Sequence, residues 1–199
     1  SKTQFGLLLS VYGLASNVMY VVLSWAQDRY APRQLISVTM IIGGITTSFL
    51  GKTSDFYMLL SLLLTLAICC EGAFWPAILS SVRKSTSDQQ QPKVFGILEG
   101  GRGLIEFLQN AITMGLYAWL GNSVLGLEVA FMLNGSVMVL LGIICWFALP
   151  RDSLLKSGKV SRRKMAEVRE GMKLTLAMPE IWLAGLSGFF IYLSLIHIS

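Results

Sequence analysis

The chain has 199 residues, 54% of them hydrophobic and 14% charged, with a mean hydropathy of +0.63; soluble domains carry about 25% charged residues, so this balance excludes an ordinary soluble fold and indicates a membrane protein. A net charge of +5 would suit a nucleic-acid partner only if Lys and Arg clustered on a polar face. Here they fall between apolar runs, and neither a nucleic-acid partner nor, with one histidine (His197) and three cysteines in apolar segments, a metal or other cofactor is expected.

A membrane-crossing helix needs about 20 predominantly apolar residues to traverse about 30 Å of hydrocarbon. The first candidate covers about 5–24, with no initiator Met or signal peptide before it, which places Ser1 inside a longer reading frame. The next segment reads Ser24-Trp-Ala-Gln-Asp28-Arg29-Tyr-Ala31-Pro-Arg33-Gln34. A short, Gly-rich candidate follows at about 35–50 and can borrow residues from either flank. The third candidate, about 56–81, holds Cys69, Cys70, Glu71, Trp75 and Pro76. Adjacent cysteines rarely meet disulfide geometry, so these read as small packing residues. Pro76 cannot donate to the Gly72 carbonyl and is expected to kink the helix beside Glu71 and Trp75.

The fourth candidate, about 94–119, is the most informative. Glu99, Arg102, Glu106, Gln109 and Thr113 are spaced three, four, three and four, so they form one polar stripe about 21 Å long at 1.5 Å per residue. Gly96, Gly100 and Gly103 flank it, small residues that let another helix approach closely. One face is expected to line a wet path and the next to pack. The fifth candidate, about 128–149, contains the sequon Asn134-Gly-Ser136 inside the span, where glycosylation is not expected.

Residues 151–179 form a basic linker. Met165, Val168 and Met172 recur at helical spacing beside Arg163/Glu167 and Glu170/Lys173, consistent with an amphipathic helix on the membrane surface or a solvated one. Pro179 marks the start of a further span over 180–192. The last seven residues, Leu193 to Ser199, resemble the translation of the transposon end CTGTCTCTTATACACATCT and are taken as a sequencing-adapter artefact, leaving His197 without a role.

Cytoplasmic loops hold the excess of Lys and Arg. Arg29 and Arg33 lie in 25–34, Arg83, Lys84 and Lys93 in 82–93, and a longer basic series in 151–179; the links 51–55 and 120–127 hold only Lys52. The three basic segments are therefore expected in the cytoplasm.

Asp28, Arg29 and Arg33 resemble the loop signature of the major facilitator superfamily, G-x-x-x-D-R-x-G-R-K, with Ser24 and Ala31 where the signature has glycine. Gly72-Ala-Phe-Trp75-Pro76-Ala and Val94-Phe-Gly96-Ile resemble facilitators of the organic-anion and sugar-phosphate type. The resemblance covers about residues 3–192. It implies an all-α polytopic membrane bundle in which residues 1–150 supply helices two to six of the N-terminal half and 180–192 begin the seventh. It further implies a bacterial inner-membrane location, a substrate site between two halves, and a gating role for Asp28, Arg29 and Arg33, with Arg83 and Lys84 as partners for Asp28.

Ionisable groups at membrane depth cost about 2.5–3.5 kcal/mol each on insertion scales and usually face a cavity or a partner. Counting helical rise from the basic ends, Glu71 lies about 16 Å deep, Arg102 about 12 Å and Glu106 about 18 Å, which makes a Glu71–Arg102 pair reasonable. Three acids around one guanidinium leave a negative charge uncompensated. Relieving it by taking up a proton is the physical requirement for proton coupling; a static lock between helices is the structural alternative.

These features point to secondary transport of a small polar solute, an organic anion or sugar derivative, with protons as coupling partner. Two other readings stay open: a membrane-embedded enzyme using Glu71, Glu99 or Glu106, and a transporter-like solute sensor. No complete enzyme constellation occurs in the chain, so an enzyme is not expected.

Overall fold

The computed structural model describes residues 2–23, 26–87 and 89–149, together with 178, 179, 182, 183 and 186. At Asp28, Arg29 and Lys84 it describes the backbone alone. The chain divides into two units, Ser1–Leu155 and Lys156–Ser199. In the second, Pro179, Trp182, Leu183 and Leu186 are helical; the amphipathic pattern at 151–179 and the terminal seven residues lie outside the described residues.

The described elements of the first unit are helical: α1 (Lys2–Val22), α2 (Ala26–Arg29), α3 (Pro32–Leu50), α4 (Phe56–Leu66), a π-helical segment (Ala67–Phe74), α5 (Trp75–Ser85), α6 (Gln91–Trp119) and α7 (Val124–Ala148). Local chemistry sets the boundaries. α3 takes three residues from its flank because Pro32 suits the first helical position, where its missing N–H costs nothing. Asp55 caps α4 by accepting from the Met58 N–H at 2.8 Å, and Ser123 caps α7 by accepting from the Gly126 N–H at 3.1 Å. Between α6 and α7 the chain reverses through two left-handed residues, Gly121 (φ 75°) and Asn122 (φ 52°), the conformation that Gly and Asn tolerate best.

The expected kink at Pro76 takes a different form. With no proline N–H, the Gly72 carbonyl loses its usual partner. The preceding turn widens, so that the Trp75 N–H reaches back five residues to the Cys70 carbonyl. The result is an eight-residue π segment through Glu71, continuous with α4 and α5.

Four helical stretches are long and apolar enough to cross a membrane: Thr3–Val22, Pro32–Leu50, Phe56–Arg83 and Val124–Ala148. Five complete spans were expected. The difference is α6, whose 29 residues reach about 43 Å but whose charged stripe removes it from the apolar class.

Small residues hold the bundle together, as expected where lipid gives helices no hydrophobic reason to associate. α3 and α7 meet backbone to backbone. A methyl group on Gly44 would stand 2.6 Å from the Gly135 carbonyl oxygen, and one on Gly142 3.0 Å from that of Ser37. α1 crosses the π segment at Gly72, against Met19 and Leu23, while Cys70 fills the space beside Gly43 of α3. Outward residues such as Leu14, Val21 and Phe147 are exposed, as lipid-facing positions should be.

α6 departs from expectation. None of its described residues is buried, and a methyl group on Gly96, Gly100 or Gly103 would meet no atom within 4 Å. The glycine flank therefore packs against nothing within this unit. Only one sector of α6 can face α7, and Gln109 and Thr113 occupy it.

The first turn of α3 touches the last turns of α7 through Arg33 and Trp146, and Gly51, past the other end of α3, lies against Glu128 and Phe131 at the start of α7. The start of α3 and the end of α7 thus lie at the same end of the bundle. α2 lies beside α5, so the chain after α5 leaves there too.

Candidate functional site: a charged cluster on α6 and its anchor on α7

Helical spacing brings three charges of α6 into one cluster. Arg102 Nη2 lies 2.8 Å from Glu99 Oε2, and its Nε donates to the same oxygen at 3.0 Å. Nη1 reaches Glu106 Oε1 at 3.4 Å, one turn the other way. The partners are i,i+3 and i,i+4, the neighbours a helix surface provides. From α5, the Trp75 ring stacks against the guanidinium, its centre 5.1 Å from the Arg102 Cζ. The Glu99, Arg102 and Glu106 side chains are 48%, 44% and 57% exposed, so the cluster lies on an open face of this unit.

Glu71 lies in the π segment between α4 and α5. Among the described residues the ion pairs of Arg102 run to Glu99 and Glu106, and Trp75 is what the neighbouring helix presents to it. Glu71 lies close enough to Tyr12 of α1 for the two to interact electrostatically.

Further along the stripe, Gln109 Nε2 donates to Asn134 Oδ1 at 3.3 Å, and Asn134 Nδ2 donates to Thr113 Oγ1 at 3.1 Å. The polar stripe therefore has two parts, a charged one open to the surroundings and an amide and hydroxyl one joined to α7. Asn134 was not among the expected site residues. Its signal was available in the sequence, since an amide inside an apolar span needs a partner.

The loop signature splits in a similar way. Arg33 is buried at 7% exposure with its guanidinium carbon 4.7 Å from the centre of the Trp146 ring, and its Nε has no hydrogen-bond partner. Arg83 is exposed at the end of α5. Asp28 and Arg29 lie in α2, and their side chains, with the expected contact of Asp28 to Arg83 or Lys84, lie outside the described residues.

The resemblance rested on the loop with Asp28, Arg29 and Arg33 and on the order of apolar spans, and the family model for the Major Facilitator Superfamily matches residues 1–199. The chain belongs to the Major Facilitator Superfamily. Among curated relatives of this superfamily chain, the inner membrane protein YihN of Escherichia coli K12 is 24% identical over 189 residues, 95% of this chain and 45% of the relative. The inner membrane protein YqcE of the same organism is 23% identical over 171 residues, 85% of this chain and 40% of the relative. The chain thus spans less than half the length of the curated relatives it matches. No solved structure matches this facilitator chain. The superfamily consists of membrane transporters.

Proposed function

We propose that this chain is part of a secondary transporter of the bacterial inner membrane that moves a small polar solute by alternating access, with the Arg102 cluster on the solute path. The observation that carries the proposal is a guanidinium held by two carboxylates of its own helix and stacked on Trp75 of the neighbouring one. The names of the Escherichia coli relatives support the inner-membrane placement. The Lys and Arg bias supports a cytoplasmic position for 25–34, 82–93 and 151–179, and Asp28, Arg29 and Arg33 then sit where the superfamily closes its cytoplasmic gate.

Charge counting connects proton and solute. Two carboxylates and one guanidinium leave the cluster with a surplus negative charge when all are ionised, which repels an anion. A proton taken up by one acid removes the surplus and frees part of the guanidinium fork, so an anionic solute and a proton favour each other's binding. The solute class this supports is an organic anion or an anionic sugar derivative, whose carboxylate or phosphate matches the fork of Arg102.

Proteoliposomes of the full-length protein test this directly. Uptake of labelled organic anions and sugar phosphates should accelerate when an inward proton gradient is imposed. Product formation without flux would identify an enzyme, and saturable binding without flux a sensor.

A further inference from the structure

We infer that Asn134 is a positioning residue: it fixes the rotation of α6 about its own axis and so aims the Arg102 cluster. The inference rests on the transport reading for its consequence but on geometry for its substance. α6 has no buried residue, and its glycine flank meets nothing within 4 Å. Within this unit the helix is held by the Trp75 stack on Arg102, by the contact of Tyr117 with Gly126 of α7 and, midway between them, by polar bonds to α7.

The polar bonds converge on one side chain. Asn134 accepts from Gln109 through Oδ1 at 3.3 Å and donates to Thr113 through Nδ2 at 3.1 Å. A primary amide presents acceptor and donor on opposite sides, and Gln109 and Thr113 are one turn apart on the stripe. Both bonds therefore form at one rotational setting of α6. The setting is then shared by Glu106 and Arg102, which lie on the same stripe one and two turns away from Gln109.

Asn134 is itself well anchored. Its neighbour Gly135 is pressed against Gly44 and Ser48 of α3, in the tightest helix contact of the unit. The order of support runs from the α3–α7 pair, through Asn134, to Gln109 and Thr113, and from there to Arg102. Changing Asn134 to an apolar residue of similar size leaves the α7 backbone in place but leaves Gln109 and Thr113 without partners at that depth.

The test uses the full-length protein with Cys69, Cys70 and Cys145 replaced by alanine and single cysteines walked through residues 103–108. Labelling by a water-soluble thiol reagent reads which face of α6 meets water. Asn134→Leu should shift the labelling maximum around the helix and raise the solute KM by about tenfold, the effect of losing one to two interhelical hydrogen bonds, with kcat and membrane abundance close to wild type. Asn134→Gln, which keeps the amide, should recover most of the KM. The pair Gln109→Leu and Thr113→Val should reproduce the labelling shift, and adding Asn134→Leu should change it no further. An unchanged labelling pattern and KM in Asn134→Leu, or, should that variant fail to reach the membrane, in the Gln109→Leu and Thr113→Val pair, would overturn the inference. A shifted pattern in a protein that shows no flux even as wild type would sustain the positioning role and sink the transport reading.

Discussion

Arg33 in the first turn of α3 stacks on Trp146 in the last turns of α7, guanidinium carbon to ring centre 4.7 Å. The contact ties the start of one helix to the end of another beside the tight glycine seam, and it shields a cation that is 7% exposed. Desolvated cation–π contacts are worth about 2 kcal/mol. Trp146→Ala should therefore lower the thermal midpoint of the detergent-solubilised protein, and Trp146→Phe should recover part of the loss. Identical melting of Trp146→Ala and wild type would mean the stack contributes no stability.

The glycines divide into two groups by what surrounds them. A methyl group on Gly135 would collide with Ser48 and the Gly44 carbonyl, whereas one on Gly100 meets nothing within 4 Å. In this 199-residue chain, Gly135→Ala should separate α3 from α7 and cost about 1–3 kcal/mol or more, the range for overpacking. Gly100→Ala should be neutral or slightly stabilising through helix propensity. Membrane abundance and melting of the two variants, measured side by side, check the contrast; equal losses would show that α6 also has a packing partner along its glycine flank.

Orientation has its own test. Tyr30 is 49% exposed in the loop before α3, at the end of the bundle proposed to be cytoplasmic. A cysteine at Tyr30 should resist an impermeant reagent applied to intact cells and react after permeabilisation. Labelling from outside would invert the topology and remove the gate from Asp28, Arg29 and Arg33.

Much of this architecture was legible as period and composition. Apolar runs located four spans to within a few residues, and spacing alone put Glu99, Arg102, Glu106, Gln109 and Thr113 on one face of α6. What escaped depends on direction around a helix rather than position along it. The sequence could not show that Arg102 would stack on Trp75. The π segment was not visible because a proline announces a lost hydrogen bond without saying whether the helix bends or widens. Asn134 and Trp146 became site residues only through partners 21 or more residues away in sequence, and a span read by itself carries no information about its neighbour.

The chain spans 45% of one curated relative and 40% of the other, and among the described residues its charged cluster is about half exposed. Alternating access needs two bundles to rock about a shared site. Proteoliposomes holding this chain alone should show no solute uptake above protein-free vesicles. Robust uptake by the purified 199 residues would require an association of copies that completes the path.

Arg102 is where the account is most exposed to refutation. Removing its charge leaves Glu99 and Glu106 facing each other without a counter-ion, while Arg102→Lys keeps a point charge but loses the planar fork. The direct measurement is proton-gradient-driven solute uptake by full-length wild type, Arg102→Lys and Arg102→Ala, normalised to the amount of each protein in the membrane. Arg102→Ala is expected at normal abundance with uptake lost or strongly reduced, and Arg102→Lys with partial uptake and an altered pH profile. Normal uptake by Arg102→Ala across the pH range would contradict the account, and absence of Arg102→Ala from the membrane would make the cluster a structural lock instead.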